Sequence, residues 1–430
     1  MEEKKRFKIH EGFDGESSRN YEKAHDYENR PELHGIISQN NFELVRKVNK
    51  TTIKILGDEW VRNIKKNKGR WRSNGKVRDL NKLGIGRNKA VIGIGAGPSF
   101  HKNKHILKDV VVPDGLKPWD EREFITIAAN HQFKPLLEMG IIPDFVLLVD
   151  GAGTVSDQLI KGIPKSAKNT QLITGVHVNP KLLKAWNRQG RGIIFYSTPA
   201  DVIQDACVEH GLRGAGPNKI ELGGNVLNGA FMIGCAVMQS TIFMGIGNDL
   251  SFPVKKTLDE QRSSYYADGD YSTNAVGTGS GRDEGKSPKR WAGYNMERRR
   301  IIDPAKMGSM ARYNFELDIV GTTHTLWVYK TWLETVLVSQ TNLPVFLHYF
   351  NCSEGGILGV MAREETDEAL RKPDNWYFLD EVCINKKTGK QMYMTAMFED
   401  AVEIFLKSRR SQKWEHRNDV QYATGGAVAN

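Results

Sequence analysis

Short apolar runs recur between amphipathic segments over residues 89–253. Runs such as 90–94, 124–129 and 145–149 are bounded by glycine or polar residues, which is typical of buried parallel strands. Segments with helical spacing of apolar residues separate several of them, among them 131–139 and 225–238. The alternation predicts an α/β fold with a Rossmann-like, mostly parallel sheet and helices on both faces.

The two ends of the chain show other patterns. Between about residues 41 and 66 the apolar spacing is helical, so we expect one or two helices within an N-terminal extension, residues 1–80. Residues 361–430 are polar and include a helical pattern near 396–407, and we assign them to an irregular C-terminal extension. The α/β core is then expected over residues 81–360.

Residues 263–300 interrupt the strand–helix alternation. They are rich in Gly, Ser, Asp, Tyr and Arg and show no apolar periodicity. Insertions of this length inside a domain are commonly functional loops or segments without fixed structure. A lid over the preceding strand end and a plain surface insertion are both consistent with the sequence.

Positive charge is concentrated in one run. The 430-residue chain has a formal net charge of +10. Residues 62–89 contain eleven Lys or Arg residues and one acid, Asp79, so the rest of the chain is nearly balanced. We favour a solvated helix face for this run. The alternative is a surface that binds an acidic polymer, although nucleic acid is not an expected partner.

Cysteine usage and hydropathy favour a cytoplasmic location. The four cysteines form no CxxC pair, which argues against a disulfide framework. The first residues lack the apolar stretch of a secretion signal. The uncharged stretch 229–247 has Gln239-Ser240-Thr241 at its middle, which predicts a turn between a buried helix and a buried strand. We therefore expect no transmembrane segment.

A glycine-rich turn follows the first predicted core strand, with the sequence Gly95-Ala96-Gly97-Pro98-Ser99. Glycines bring the backbone close to a bound group, and exposed N–H groups at the start of the next helix suit a phosphate or another anion. The spacing is neither that of a dinucleotide fingerprint nor that of a Walker A loop. A tight turn without a ligand is the alternative.

Polar residues follow three further predicted strands. They are Asp150, the pair Asn248 and Asp249, and the pair Asn351 and Glu354. Ligands bind open α/β sheets at the carboxyl ends of the strands. Acids at this edge can hold a metal such as Mg²⁺, for which Asp150 and Asp249 are the candidates, orient ribose hydroxyls or transfer protons. Capping of the next helix is the alternative role.

Two predicted helix starts carry additional candidates. Gly223-Gly224-Asn225 opens one helix as an anion or base contact, with helix capping as the alternative. His324 lies at the start of another helix, downstream of residues 263–300, where it is a candidate general base. A capping or packing role is its alternative.

The order of five segments resembles that of the motility accessory factor (Maf) flagellin glycosyltransferases. The segments are 95–99, 133–150, 223–226, 247–251 and 351–356. The core domain of that family is shared with archaeal 6-hydroxymethylpterin diphosphokinase MptE-like proteins, and the resemblance extends over about residues 80–360. The chain departs from the Maf pattern at Asn225, Asn248, Cys352 and Ser353.

The resemblance implies a glycosyltransferase that moves a nucleotide-activated sugar, of the CMP-nonulosonic (sialic-like) class, to a hydroxyl of a protein or glycan. Residues 95–99 and 223–225 would hold phosphate and nucleotide, with contacts from Asn248 and Asn351. Asp150 and Asp249 would orient nucleotide or sugar. His324 would deprotonate the acceptor, with Asp249 and Glu354 as further catalytic residues. No cofactor beyond the donor and optional Mg²⁺ is implied.

Two other functions stay open on the sequence. One is an ATP-dependent diphosphokinase acting on a hydroxymethylpterin-like substrate, in which Asp150 and Asp249 would bind Mg²⁺ because phosphoryl chemistry needs charge neutralisation. The other is a non-enzymatic protein that binds anionic polymers through residues 62–89. Its affinity would fall steeply with salt.

Overall fold

The computed structural model describes residues 39–149, 159, 163–253, 311–313, 319–322, 324–339, 347–362, 372–385, 389 and 391–409. Asp150 and residues 263–300 lie outside this part of the chain. All statements on structure below refer to the described residues.

Strands and helices alternate along the described chain. The strands are β1 (Gly75–Lys76), β2 (Ala90–Ile94), β3 (Phe124–Ala129), β4 (Phe145–Leu148), β5 (Gln171–Gly175), β6 (Ile193–Tyr196), β7 (Ile242–Ile246), β8 (Phe252–Pro253), β9 (Ala311–Tyr313), β10 (Ile319–Gly321), β11 (His348–Asn351), β12 (Val360–Ala362), β13 (Trp376–Phe378) and β14 (Tyr393–Thr395). The helices are α1 (Gln39–Ser73), α2 (Val77–Leu83), α3 (Phe100–Gly115), α4 (Phe133–Glu138), α5 (Pro180–Arg188), α6 (Asp201–Glu209), α7 (Val226–Phe231), α8 (His324–Ser339) and α9 (398–409), and a π-helical segment, Met232–Val237, continues α7.

In the described part of the chain, nine strands form one sheet in the order β1-β6-β5-β4-β3-β2-β7-β11-β14. Neighbouring strands in this sheet run parallel. From β2 the chain places β3 to β6 on one side and then returns to place β7 on the other. The predicted Rossmann-like α/β fold is confirmed. The reversal between β2 and β7 is a topological switch point, where open α/β sheets bind ligands.

Both faces of the sheet are covered by helices. Every residue of β2 and β3 is buried, which explains their unbroken apolar runs. On one face Val91 packs in a cluster with Phe231 at the end of α7. On the other face Ile92 packs in a cluster with Phe100 of α3 and Phe405 of α9.

Both ends of the described chain contribute to this core. β1 pairs with β6, and β14 pairs with β11. Phe398 and Phe405 of α9 are buried. The residues assigned to an N-terminal extension and to an irregular C-terminal extension therefore supply both edge strands and a core helix. The sequence did not indicate β14 because a strand of three residues is too short for a periodic pattern.

Helix α1 contains the first part of the basic run, up to Ser73. It is one helix where one or two were expected, and Trp60, Ile64 and Trp71 on one face are buried. Asn67 Nδ2 donates to the carbonyl oxygens of Val176 and Val178 at 2.9 and 2.7 Å, which fastens α1 beyond the end of β5. Charged residues of the run that are exposed include Arg62, Lys65, Lys66 and Arg72. This exposure agrees with the solvated helix face favoured above, and binding of an acidic polymer stays the alternative.

Among the described residues, no helix is long and apolar enough to cross a membrane. The uncharged stretch 229–247 instead forms the end of α7, the π-helical segment and β7. Gln239, with a φ of 67°, makes the predicted turn between them.

Candidate functional site

The chain segments that follow β2 and β7 pack directly against each other. Gly95 N donates to Ile246 O at 2.8 Å, and Gly97 N donates to Gly247 O at 2.9 Å. A Cβ at Gly95 would overlap Gly247 O, so glycine is required at this position for the close approach. The two segments form one unit at the switch point.

Asp249 lies at the centre of this unit. Its Oδ2 accepts a hydrogen bond from Ser99 N at 2.9 Å, and a Cβ at Gly97 would overlap the same oxygen. The residue is 4% exposed. Its other oxygen, Oδ1, is buried and has no hydrogen-bond partner in the structure as described. One carboxylate oxygen is thus held in place and the other is left unpaired.

The segment after β11 closes the third side of Asp249. Ser353 Oγ accepts a hydrogen bond from Asn248 N at 2.9 Å, and Ile357 N donates to Asp249 O at 2.9 Å. A Cβ at Gly355 would lie 3.6 Å from Asp249 Oδ1. Gly355 thus packs close to the unpaired oxygen without offering it a side-chain hydrogen-bond donor.

Burial raises the pKa of Asp249 to about 6. The side chain and the backbone of Ser99 and the positive charge of Lys102 oppose this effect and lower the pKa. Desolvation is the larger effect because a buried carboxylate loses its hydration. An acid of this pKa takes up and releases a proton near neutral pH, as general acid–base chemistry requires.

Comparison with known proteins finds a family match for part of the chain. Residues 58–255 match the family model of 6-hydroxymethylpterin diphosphokinase MptE-like proteins. The match covers slightly less than half of the chain, and we call residues 58–255 the MptE-like region after it. The MptE-like region contains both the turn at 95–99 and Asp249.

One similar solved structure is that of a Maf glycosyltransferase from Magnetospirillum magneticum AMB-1. The identity is 14% and the TM-score 0.40, over 75% of this chain and 37% of that chain. The chain thus spans little more than a third of the length of that glycosyltransferase. No curated protein matches the chain.

The MptE-like region satisfies most amides of its glycine turn internally. Gly95, Gly97 and Ser99 donate their N–H groups to Ile246, Gly247 and Asp249 respectively, and Pro98 has none. Among the described residues no acceptor engages the N–H of Ala96. We expected a row of backbone amides open to an anion. Three of these amides already have acceptors within the protein and are therefore not open to an anion. The cause is the tight packing of the turn on the β7 segment, which the local sequence does not reveal.

Glu354 and Asn351 join structural elements in this arrangement. Glu354 Oε1 accepts hydrogen bonds from Asn103 of α3 and from Phe398 N at the start of α9. Asn351 Nδ2 donates to Leu358 O at 3.1 Å and to a tyrosine hydroxyl of β14. These contacts give both residues a structural role. The catalytic role of Glu354 and the binding role of Asn351 stay predictions.

Asn225 caps the start of α7, which is the alternative role given for residues 223–225 above. Asn225 Oδ1 accepts a hydrogen bond from Asn228 N at 2.7 Å. Gly223 and Gly224 have φ of +64° and +86°, and a Cβ at either would overlap Trp332 or Tyr329 of α8. Close packing against α8 thus requires glycine at both positions. Nucleotide binding here stays a prediction.

Asp150, His324 and the insertion 263–300 are the remaining predicted features of the site. Asp150 is outside the described residues, and so are residues 263–300. His324 is the first residue of α8, as its predicted position at a helix start implies. No group of three or more His, Cys, Asp or Glu side chains arranged for a metal occurs among the described residues. Mg²⁺ binding by Asp150 and Asp249 stays a prediction.

Two polar residues at the carboxyl edge were missed. Gln132, after β3, is 1% exposed, and neither its Nε2 nor its Oε1 has a hydrogen-bond partner in the structure described. His177, after β5, has its pKa lowered to about 4 by burial, so its ring is neutral at pH 7. Each follows its strand within three residues, and this position is the signal that sequence analysis had available.

Proposed function

We propose that the protein is a transferase that uses a nucleotide-activated sugar and carries out its chemistry at Asp249. The observation that supports this is the buried, half-paired Asp249 carboxylate, with a pKa of about 6, at the topological switch point. The MptE-like family match supports a site at this position because it includes the same segments.

In this proposal Asp249 Oδ1 is the general base. The oxygen of the acceptor hydroxyl attacks the anomeric carbon of the donor sugar, and its proton passes to Oδ1. The bond from the anomeric carbon to the phosphate oxygen breaks, and the nucleotide leaves with the electron pair. Ser99 N holds Oδ2 at 2.9 Å, so the base is oriented before the acceptor arrives.

The finer assignments follow the resemblance to the Maf proteins. The donor is a CMP-linked nonulosonic sugar, and the acceptor is a hydroxyl of a protein or glycan. The N–H of Ala96 is the amide of the turn that contacts the donor phosphate. Asp150 and His324 complete the site, as a sugar or nucleotide ligand and as a second base.

A donor panel tests the proposal. The full-length protein is incubated with CMP-linked and UDP-linked sugars, with and without Mg²⁺, and release of CMP or UDP is followed by chromatography. We expect release from at least one donor. Asp109, on the exposed side of α3, offers a matched control, because Asp109→Asn should leave release unchanged. Absence of binding and release across the panel would contradict the proposal.

The family description itself favours a second candidate, a pyrophosphate transfer from ATP. Here a substrate hydroxymethyl oxygen attacks the β-phosphorus of ATP, the bond to the α-phosphate oxygen breaks, and AMP leaves. Mg²⁺ would neutralise the phosphates, with Asp249 and Asp150 as its ligands. Formation of AMP from ATP and a hydroxymethylpterin, with no release from any sugar donor, would favour this candidate.

A further inference from the structure

Gln132 differs from the other buried amide side chains in the described part of the chain. Asn67, Asn228 and Asn351 each donate at least one hydrogen bond to a backbone carbonyl. Gln132 is 1% exposed and makes no hydrogen bond with either Nε2 or Oε1. A buried amide without partners lowers the stability of the fold. Such a group is a candidate for binding something absent from the protein alone.

Strand register places β3, which leads to Gln132, next to β2, which leads into the turn at 95–99. Ile94 pairs with Ala128 of β3 on one side and with Ile246 of β7 on the other. Gln132 and Asp249 lie four and three residues beyond these partners. Because neighbouring strands are about 4.8 Å apart, the ends of β3 and β7 lie about 10 Å apart, one on each side of β2. The unpaired amide of Gln132 and the half-paired carboxylate of Asp249 thus belong to the two segments that leave the strands flanking β2, and Gln132 ends a short 3-10 turn, Asn130–Gln132.

The packing beside Gln132 holds its backbone firmly. Phe133, the next residue, is fully buried, and its ring centroid lies 5.7 Å from that of Trp186. Arg191 lies over the same Trp186 ring at 4.8 Å. The fold therefore fixes the backbone position from which the Gln132 side chain extends, and a rigid support of this kind suits selective recognition.

A carboxamide offers one donor and one acceptor side by side. Nucleobase edges present the complementary acceptor and donor, and glutamine pairs with adenine in this way in protein–DNA contacts. A nucleotide is long enough to reach from one side of the turn to the other. The base would then lie at Gln132, and the phosphate would lie across the turn toward Asp249.

We propose that Gln132 is a specificity-determining residue that reads the base of a nucleotide bound across the turn at 95–99. This rests on the proposed function in one respect, that the donor carries a nucleotide. The test uses the full-length protein, with CMP, UMP and AMP as probes in calorimetric titrations and with Tm measured for each variant.

Gln132→Met keeps the length of the side chain and removes its polar atoms. We expect Tm to be unchanged or higher, because an unpaired amide is replaced by an apolar group. The Kd of the preferred nucleotide should rise about 10- to 100-fold, as for loss of a two-bond base contact. The differences in Kd between CMP, UMP and AMP should shrink toward none.

Gln204 provides the matched control. Its Nε2 donates to Ser197 Oγ at 2.7 Å and to Thr198 O. Gln204→Met should therefore lower Tm and leave the Kd of each nucleotide unchanged. This is the opposite pattern to that expected of Gln132→Met.

Three outcomes would overturn the inference. They are an unchanged Kd in Gln132→Met, an unchanged ranking of the three nucleotides, or a fall in Tm like that of Gln204→Met. If the wild type still releases nucleotide from a sugar donor in any of these cases, the proposed function stands and only the role of Gln132 fails. A wild type that binds and turns over no nucleotide contradicts both.

Discussion

Two aspartates lie at opposite edges of the sheet, the partly buried Asp144 and the buried Asp249. Asp144 precedes β4 at the amino edge, and all its bonds are internal. Its Oδ1 pairs with Arg122 Nη1 at 2.6 Å, and its Oδ2 accepts from both N and Oγ1 of Thr126 at 2.9 Å. Asp249 follows β7 at the carboxyl edge and has one partner, Ser99, on one oxygen.

Burial raises the pKa of both residues, yet the surroundings differ. At Asp144 a guanidinium and a threonine satisfy the charge, as is expected of a carboxylate that joins β3 to β4. At Asp249 the buried Oδ1 has no hydrogen-bond donor among the described residues. This lowers the stability of the fold, and no structural contact of Oδ1 offsets the loss. A pKa raised by burial therefore does not by itself distinguish a functional acid, and the unpaired oxygen of Asp249 is the observation that supports its proposed role.

Asp249→Asn should have the largest effect on activity. The amide keeps the shape of the side chain and an acceptor for Ser99 N, but it cannot accept a proton. We expect donor turnover in the nucleotide-release assay to fall about 100-fold or more, the usual contribution of a general base. An activity within a factor of three of the wild type would remove Asp249 from the mechanism.

Asp144→Asn should instead reduce stability. Arg122 loses its ion-pair partner. The NH₂ group of the new asparagine also faces Arg122 or Thr126, which are hydrogen-bond donors themselves. We expect the free energy of unfolding to fall by about 2 kcal/mol, measured by urea denaturation. An unchanged stability would show that the contacts of Asp144 are as dispensable as those of an exposed pair.

Gly97→Ala tests the contact between the glycine turn and Asp249. The added Cβ would overlap Asp249 Oδ2, so the carboxylate must move. We expect a loss of about 1–3 kcal/mol in the free energy of unfolding, together with reduced turnover. Gly115→Ala is the control, because a Cβ there meets no atom within 4 Å. Equal behaviour of the two variants would contradict the described packing.

The exposed face of α1 should give the smallest effect. Lys65→Gln and Lys66→Gln remove two exposed charges. We expect changes within about 0.5 kcal/mol in the free energy of unfolding and no change in turnover. A loss of turnover that depends on salt concentration would instead assign the basic run to substrate binding.

Sequence reasoning recovered the sheet because its strands are long, buried and apolar. It also placed Asp249 at the carboxyl edge, since a residue that follows a strand is visible in the chain. It did not reveal that Ser99 N bonds to a carboxylate 150 positions away, nor that this contact occupies the turn. Gln132 was missed for the same reason, because whether a polar atom has a partner depends on tertiary packing.

The pH dependence of stability tests the state of Asp249 most directly. A raised pKa means that protonation favours the folded state, so this contribution is present below pH 4 and is lost as the pH rises through about 6. The free energy of unfolding of the wild type and of Asp249→Asn is measured from pH 4 to pH 8. We predict near equality at pH 4, and a wild type that is less stable by about 2–3 kcal/mol above pH 7. A wild type more stable than Asp249→Asn at pH 7 would show a carboxylate paired on both oxygens and would contradict the account.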